Sequence, residues 1–242
     1  MPPRKPAAFN GFSGFSGFSA DTATFIQDLR ANNDKLWFAA NKARYEASVL
    51  EPSRAFVAAM GARLRAIAPG LHAEPKVNRS LFRIHRDVRF ARNKSPFKTN
   101  VGVWLWEGNG ARMDCSGFYV HIEPPTLMLG VGIHVFPKPH MEFWRETVDD
   151  ERHGSAIAGI VDALRSEGRY AVGGEHYKRI PRGYDRDHPR AELLKHNGLF
   201  GSIEMPIPEA FTSRDFVELC AGHFEAMLPL HRWLLDMTRR MA

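Results

Sequence analysis

At residue 80 the apolar residues of this chain stop recurring at the spacing of a helix and begin to alternate, and the alternation holds to residue 136. A period of two over several strand-length runs can be buried only as a sheet with one apolar face, so this stretch fixes the centre of any fold the chain adopts. The runs are 81–90, 97–106, 115–123 and 126–136, joined by turn chemistry at Lys94-Ser95-Pro96, Glu107-Gly108-Asn109-Gly110 and Pro124-Pro125. They predict a four-stranded antiparallel meander. On the first run Phe82, Ile84, Val88 and Phe90 share one face, and Arg83, His85, Asp87 and Arg89 the other. On the second, Thr99, Val101 and Val103 oppose Lys98, Asn100 and Gly102; on the third, Phe118, Val120 and Ile122 oppose Tyr119, His121 and Glu123. On the fourth, Leu129, Val131 and Ile133 oppose Gly130, Gly132 and His134. One face is therefore core. The other is polar, with glycines that leave a floor for close approach by a ligand.

Arg86 breaks the pattern, because alternation points it into the core, where an unpaired guanidinium is costly. A bulge that re-aims it or a carboxylate partner, Asp87 or Glu123, is expected. Asp87 is itself expected to bond Arg83, Arg86 or Arg89, and its removal to destabilise the fold.

Helical periods flank the meander. Phe25, Ile26 and Leu29 form a stripe behind Ser19 as N-cap, and Asn33 or Asp34 caps a second helix through Trp37, Ala40 and Tyr45. Pro52 opens a third, whose Phe56, Val57, Met60, Leu64 and Ile67 run to the stop at Pro69-Gly70. After the meander, 139–148 and 155–164 are helical by period, 177–184 is extended and basic, and Pro189 starts a short helix through Leu193 and Leu194. Residues 200–207 add a strand, and Thr212 caps a long helix that Pro229 kinks or divides. The expected fold is α+β, a single domain over 19–242 with a four- to six-stranded antiparallel meander sheet and helices packed on one face. Residues 1–18, which carry a short Gly-Phe-Ser repeat, read as a flexible tail whose last copy, Gly17-Phe18-Ser19, packs and caps the first helix.

Charge is concentrated within the predicted sheet. From Lys76 to Lys98 there are eight Lys/Arg against one acid, a local charge of +7, while the whole chain carries +6. The rest of the chain is close to neutral, so a basic face is expected to meet an anion. No residue set identifies a reaction. Cys115 and Cys220 match no ligand or redox spacing, which fits a reducing compartment, and no apolar run approaches the roughly 18 residues of a spanning helix. A cytoplasmic protein with no membrane contact is expected. Gly130-x-Gly132 lacks a dinucleotide fingerprint, and no P-loop or nucleophile elbow occurs, so no cofactor is expected. His85, His121 and His134 lie among Arg and Lys that repel a cation, so no metal is expected either.

The run Arg83-x-x-Arg86-Asp87-x-Arg89-Phe90-x-x-x-Lys94-x-Pro96-Phe97-Lys98 resembles the signature of a family of uncharacterised, mainly bacterial proteins of similar length, known as a domain of unknown function. Asn32-Asn33-x-x-x-Trp37-Phe38-x-x-Asn41-Lys42-x-x-Tyr45 is similar to its N-terminal helix motif, and Gly117-Phe118-Tyr119-x-His121-x-Glu123-Pro124 and the basic segment 178–189 also match. Phe97 departs from the pattern, since the family usually has Tyr there. The resemblance implies the domain and its length but no activity.

The leading functional expectation is a pocket for an anionic small molecule bearing phosphate or carboxylate. Arg83, Arg86, Arg89, Lys94 and Lys98 supply charge, Asp87 orients an arginine, and Tyr119 and His121 donate hydrogen bonds, with Lys178 and Arg182 closing over the same face. His121 and Glu123 are a candidate acid/base pair. The alternatives are a nucleic-acid-binding module, favoured by the basic balance, and an interaction protein with no small-molecule site. The sequence gives no oligomeric state.

Overall fold

The computed structural model describes residues 14–241. Two copies of the repeat lie within it, and both pack: Phe15 and Phe18 are buried. Packing thus begins one copy earlier than Gly17-Phe18-Ser19, while the preceding copy and the Pro-rich start lie outside the described residues. Gly17 has φ +118°, and a Cβ there would stand 2.3 Å from the Thr212 carbonyl carbon, so only glycine lets the chain deliver Phe18 to the core at this point.

Helix α1 (Ala20–Ala31) buries Phe25, Ile26 and Leu29. Ser19 sits at its N-cap, but its side chain makes no capping bond; its carbonyl accepts from Thr22 N instead. Asp34 caps α2 (Lys35–Ala40) through bonds from Leu36 N and Trp37 N. A short α3 (Lys42–Tyr45) continues through a π-helical turn, Glu46–Leu50, into α4 (Glu51–Leu64), with Pro52 in its first turn. The sheet follows: β1 (Leu71–His72), β2 (Val101–Glu107), β3 (Gly117–Glu123) and β4 (Thr126–Ile133). Then come α5 (Lys138–Asp149), α6 (Glu151–Ser166), β5 (Ala171–Glu175), α7 (Ala191–Leu194) and β6 (His196–Pro206). Pro229 divides the C-terminal helix, giving α8 (Asp215–Ala226) and α9 (Leu228–Arg239). Thr212 ends a 3-10 turn, and it is the Ser213 hydroxyl that accepts from Asp215 N at the head of α8.

The sheet is antiparallel throughout, in the order β1-β2-β3-β4-β6-β5. The fold is α+β, and the meander β2-β3-β4 is its centre. Val103, Leu105, Phe118, Val120, Ile122, Leu129, Val131 and Ile133 form the buried face under α4, α8 and α9. The opposite face carries Gly102, Tyr119, His121, Gly130 and Gly132, as alternation requires. Two elements escape the pattern: β1 is only two residues, and β5, Ala-Val-Gly-Gly-Glu, has too little apolar content to register as a strand.

The run 81–90 is not a regular strand. Its backbone follows β2 through Trp104 N to Ser80 O and Phe82 N to Gly102 O, and then steps to Lys98 N with Ile84 O and Arg86 N with Pro96 O. Between Phe82 and Ile84 one side advances two residues while the other uses four, so a wide bulge splits the ladder. The register also differs from the expected one. Leu81 pairs with Val103 and fills the core, which turns Phe82 onto the open face opposite Gly102. Phe82 therefore lines the open face, whereas beyond the bulge Ile84 packs against the core as expected, and Phe90, also expected in the core, is 95% exposed at the tip of the excursion. Arg86 is half-buried and donates to Ser95 O at 3.3 Å, so a carbonyl takes the place of the expected carboxylate.

Candidate functional site

The open face of the sheet is not bare. Trp104 and Trp106 alternate with the core residues of β2 and are buried with Cys115 beneath the 108–116 loop. That loop is tied down by Trp104 Nε1 donating to Arg112 O at 2.8 Å and by Arg112 bonding Arg79 O. Covering stops at the middle of the sheet. There a cleft of about 420 Å³ opens between Phe82, Trp104 and Met113 on one side and Phe200 and His134 on the other, with Tyr119, His121 and Met128 along it.

Its floor is made by glycines. A Cβ on Gly102 would press to 2.9 Å from the Phe82 ring, so glycine lets Phe82 lie down over the sheet. Gly132 has φ +139°, and a Cβ there would meet Leu199 O at 2.3 Å, so the strand can turn there only as glycine. Gly130 is different: its nearest neighbours to an added Cβ, Gly201 O and Met128 Sδ, are at 3.5 and 3.8 Å. A Cβ there makes only ordinary van der Waals contacts.

The polar residues of β3 form a line that starts in the cleft at Tyr119 and His121 and leaves it at Glu123. Tyr119 Oη and His121 Nδ1 are 2.9 Å apart, His121 Nε2 and Glu123 Oε2 3.1 Å, and Glu123 Oε1 accepts from Arg30 at 3.2 Å. Spacing of two on a strand puts all three on one face, and Arg30, from the last turn of α1, anchors the far end. Burial, then the Glu123 charge, pushes the Tyr119 phenol above its ordinary value.

Beyond Arg30 lies a second, polar concavity of about 360 Å³ lined by Arg30, Asn33, Arg86, Asn93, Lys98 and Asn100, among others. It is held in shape by Asn33, whose side-chain amide exchanges two 3.0 Å hydrogen bonds with the Phe97 backbone, as a neighbouring strand would. The Phe97 ring stacks on Phe38, with centroids 4.2 Å apart. Lys98 lines the polar concavity and its Nζ is 5.3 Å from the centroid of Phe82, a wall of the cleft; Arg112 lies over the same ring at 4.8 Å. Burial first, then the Arg83 and Arg112 charges, holds the Lys98 ammonium below its ordinary value. Among the described residues the basic run's ion pairs are Arg79 with Glu74 and Arg89 with Asp87, so Arg83, Arg86 and Lys98 have no carboxylate partner.

The expected site residues therefore divide. Arg86 and Lys98 line the polar concavity, and Tyr119 and His121 line the cleft. Arg83 is exposed on the edge segment near Lys98. Asp87, Arg89 and Lys94 lie on the exposed excursion, where Lys94 Nζ bonds Val88 O and folds the loop upon itself. Lys178 and Arg182 are exposed on the loop after β5, at the opposite edge of the sheet, and neither makes a side-chain bond to the basic run. His85 packs on Phe97, away from His121 and His134, so the three histidines do not converge. Asp87 bonds Arg89 as expected, at 2.7 Å, but the pair is 45% and 76% exposed. Such a pair contributes little. Asp87→Ala should leave the denaturation midpoint where it is in wild type at equal m; a clear fall would mean the excursion is structurally anchored by this pair.

Arg30, Phe82, Trp104 and Phe200 line the candidate site and Arg112 lies over the Phe82 ring, and sequence reasoning assigned none of them there. Away from the candidate site lies a buried Ser-His-Glu chain: Ser116 Oγ and His231 Nδ1 are 2.9 Å apart, as are His231 Nε2 and Glu107 Oε2. The residue types are those of a hydrolase triad but the two ring nitrogens are exchanged, with the serine on Nδ1 and the carboxylate on Nε2; Ser116 is also fully buried, so the chain serves the fold. No helix among the described residues is long and apolar enough to cross a membrane. A family model described as a conserved hypothetical protein, DUF2461, matches residues 21–233. No curated protein matches the chain.

Proposed function

Because the chain belongs to the conserved hypothetical protein family DUF2461, whose description assigns no activity, we propose a function from geometry: it binds a small molecule with a flat, apolar body and an anionic group, phosphate or carboxylate. The body lies in the glycine-floored cleft between Phe82, Trp104 and Phe200. The anionic group reaches Lys98, which lies against the Phe82 wall and lines the polar concavity with Arg86. The carrying observation is the cleft itself, a concavity of ligand size with aromatic walls and convergent polar groups. Cations without carboxylate partners at its edge support the anionic half, since a bound anion relieves the mutual repulsion at Lys98. Two buried free thiols, Cys115 and Cys220, support a cytoplasmic location.

Gly130→Val tests the cleft directly. The added Cβ meets only ordinary contacts, the nearest being the Gly201 carbonyl oxygen at 3.5 Å, and the side chain rises from the floor, so stability should stay within about 1 kcal/mol of wild type. Phenyl phosphate should quench tryptophan fluorescence and raise the melting temperature of wild type, adding about 2.7 kcal/mol at a hundredfold excess over Kd. Gly130→Val should lose both responses, and Lys98→Met should weaken them. Equal responses in wild type and Gly130→Val, or none in wild type, would reject the cleft as a ligand site.

One observation favours a nucleic-acid reading: Phe90, 95% exposed beside Arg89 on the basic excursion, has the form of a stacking finger. Salt separates the two. Oligonucleotide binding over about five phosphates gives a log–log slope near −4 to −5 and is lost in Phe90→Ala, whereas one small anion gives a shallow slope.

A further inference from the structure

The cleft holds more than walls and charge. Tyr119 and His121 line it, and with Glu123 they make a continuous hydrogen-bonded line that leads out of the cleft and is closed at its outer end by Arg30. The direction of that line follows from its end. An ionised carboxylate only accepts, so Nε2 of His121 carries the hydrogen, Nδ1 is the acceptor, and the Tyr119 hydroxyl donates to it. The remaining lone pair of Tyr119 Oη is left to accept from a ligand.

Resting on the cleft being a ligand site, we propose that Tyr119, backed by His121 and Glu123, takes a proton from a hydroxyl of a phenol- or enol-class ligand seated there. The ligand O–H bond breaks and its proton passes to Tyr119 Oη as the Tyr119 proton passes to His121 Nδ1. The electron pair stays on the ligand oxygen as phenolate or enolate, and the imidazolium formed is held by the Glu123 carboxylate. Charge is conserved: one neutral ligand and one neutral histidine become an anion and a cation. Tyr119 is the residue that touches the ligand; His121 receives the proton through it, and Glu123 and Arg30 position His121.

The surroundings decide where the new charges settle. Lys98 and Arg112, both over the Phe82 ring, favour an anion at the cleft wall. Arg30 is engaged by Glu123 and leaves that carboxylate able to hold the imidazolium. His134 lines the far end of the cleft, and Glu204, on β6 opposite Met128, is exposed. The raised value of Tyr119 keeps its phenol protonated at neutral pH, so the residue works by passing a proton on and not by storing a charge.

p-Nitrophenol tests this, because its ionised form absorbs in the visible and the neutral form does not. One pH unit below its own pKa, about one-tenth of the free dye is ionised. Bound to wild type, more than about half should be, an ionisation constant raised about tenfold or more. Tryptophan quenching reports occupancy independently, with Gly130→Val as the variant that excludes the dye. Tyr119→Phe and His121→Gln should still bind it, with the ionised fraction returned to that of free dye. If wild type binds the dye without changing its ionisation, or if Tyr119→Phe keeps the wild-type fraction, the relay has no such role while the cleft reading stands. If the dye does not quench wild type at all, the cleft reading falls and the proposal falls with it.

Discussion

Phe18→Ala is expected to destabilise the protein by about 3–5 kcal/mol, the range for emptying a buried aromatic site. For a domain of this size that lowers the melting temperature on the order of 10 °C. Phe18 is 1% exposed, stacks on Phe211 with centroids 4.8 Å apart, and meets Phe15, Phe56 and Phe216 at other angles. Its own N–H donates to Phe211 O, so backbone and ring are held by the same partner. The cavity left by alanine is rimmed by rigid rings that relax poorly, which places the expected loss at the high end for a residue from a low-complexity repeat. Chemical denaturation of wild type and variant at equal m measures it. A loss below about 1 kcal/mol would mean the repeat only rests on the domain.

Glu107→Ala should cost about 1–3 kcal/mol, because it leaves a buried polar partner without its acceptor. Glu107 accepts from His231 Nε2 and, with its other oxygen, from Gly70 N at 3.0 Å; the His231 side chain is 1% exposed. The hydrogen bond from His231, ahead of the Gly70 bond and the His231 and Arg239 charges, holds the Glu107 carboxyl below its ordinary value of 4.5. A carboxyl lowered in the folded state stabilises the fold fully above its unfolded value. That contribution is lost as pH falls through the lower folded value. Stability measured against pH should therefore show an acid limb below about pH 4.5 in wild type, and Glu107→Gln should flatten it. An unchanged limb in Glu107→Gln would mean other carboxyls account for it.

What the sequence reveals of this fold depends on whether a pattern is repeated by its neighbours. On β3 and β4 the alternation is long and uninterrupted, so core and open faces, and with them Tyr119, His121 and the glycine floor, can be read from spacing alone. The 81–90 run has the same alternation, but its phase changes at the step between Phe82 and Ile84: Leu81 fills the core before it and Ile84 packs on the core after it. A bulge is silent in composition, so Phe82 and Phe90 exchange their expected places with solvent or cleft. Arg30 and Arg112 reach the site from the end of a helix and from a turn, where no period marks a side chain's direction. Lys178 and Arg182 show the reverse: a basic motif near in character to the first run, but carried by the topology to the other edge of the sheet.

The stacking of Phe18 on Phe211 has a consequence for synthesis. Residues that open the domain cannot bury their rings until residues near 211–216 exist, and β4 finds its second neighbour only when 196–206 has been made. At about 5–20 residues per second, nearly 200 residues take on the order of 10–40 s to follow. For that interval the nascent chain presents a row of phenylalanines and an unpaired strand edge to the cell. Truncated chains ending before Phe211 should accordingly be the species that chaperones retain on the ribosome, and full-length chains the first to escape them.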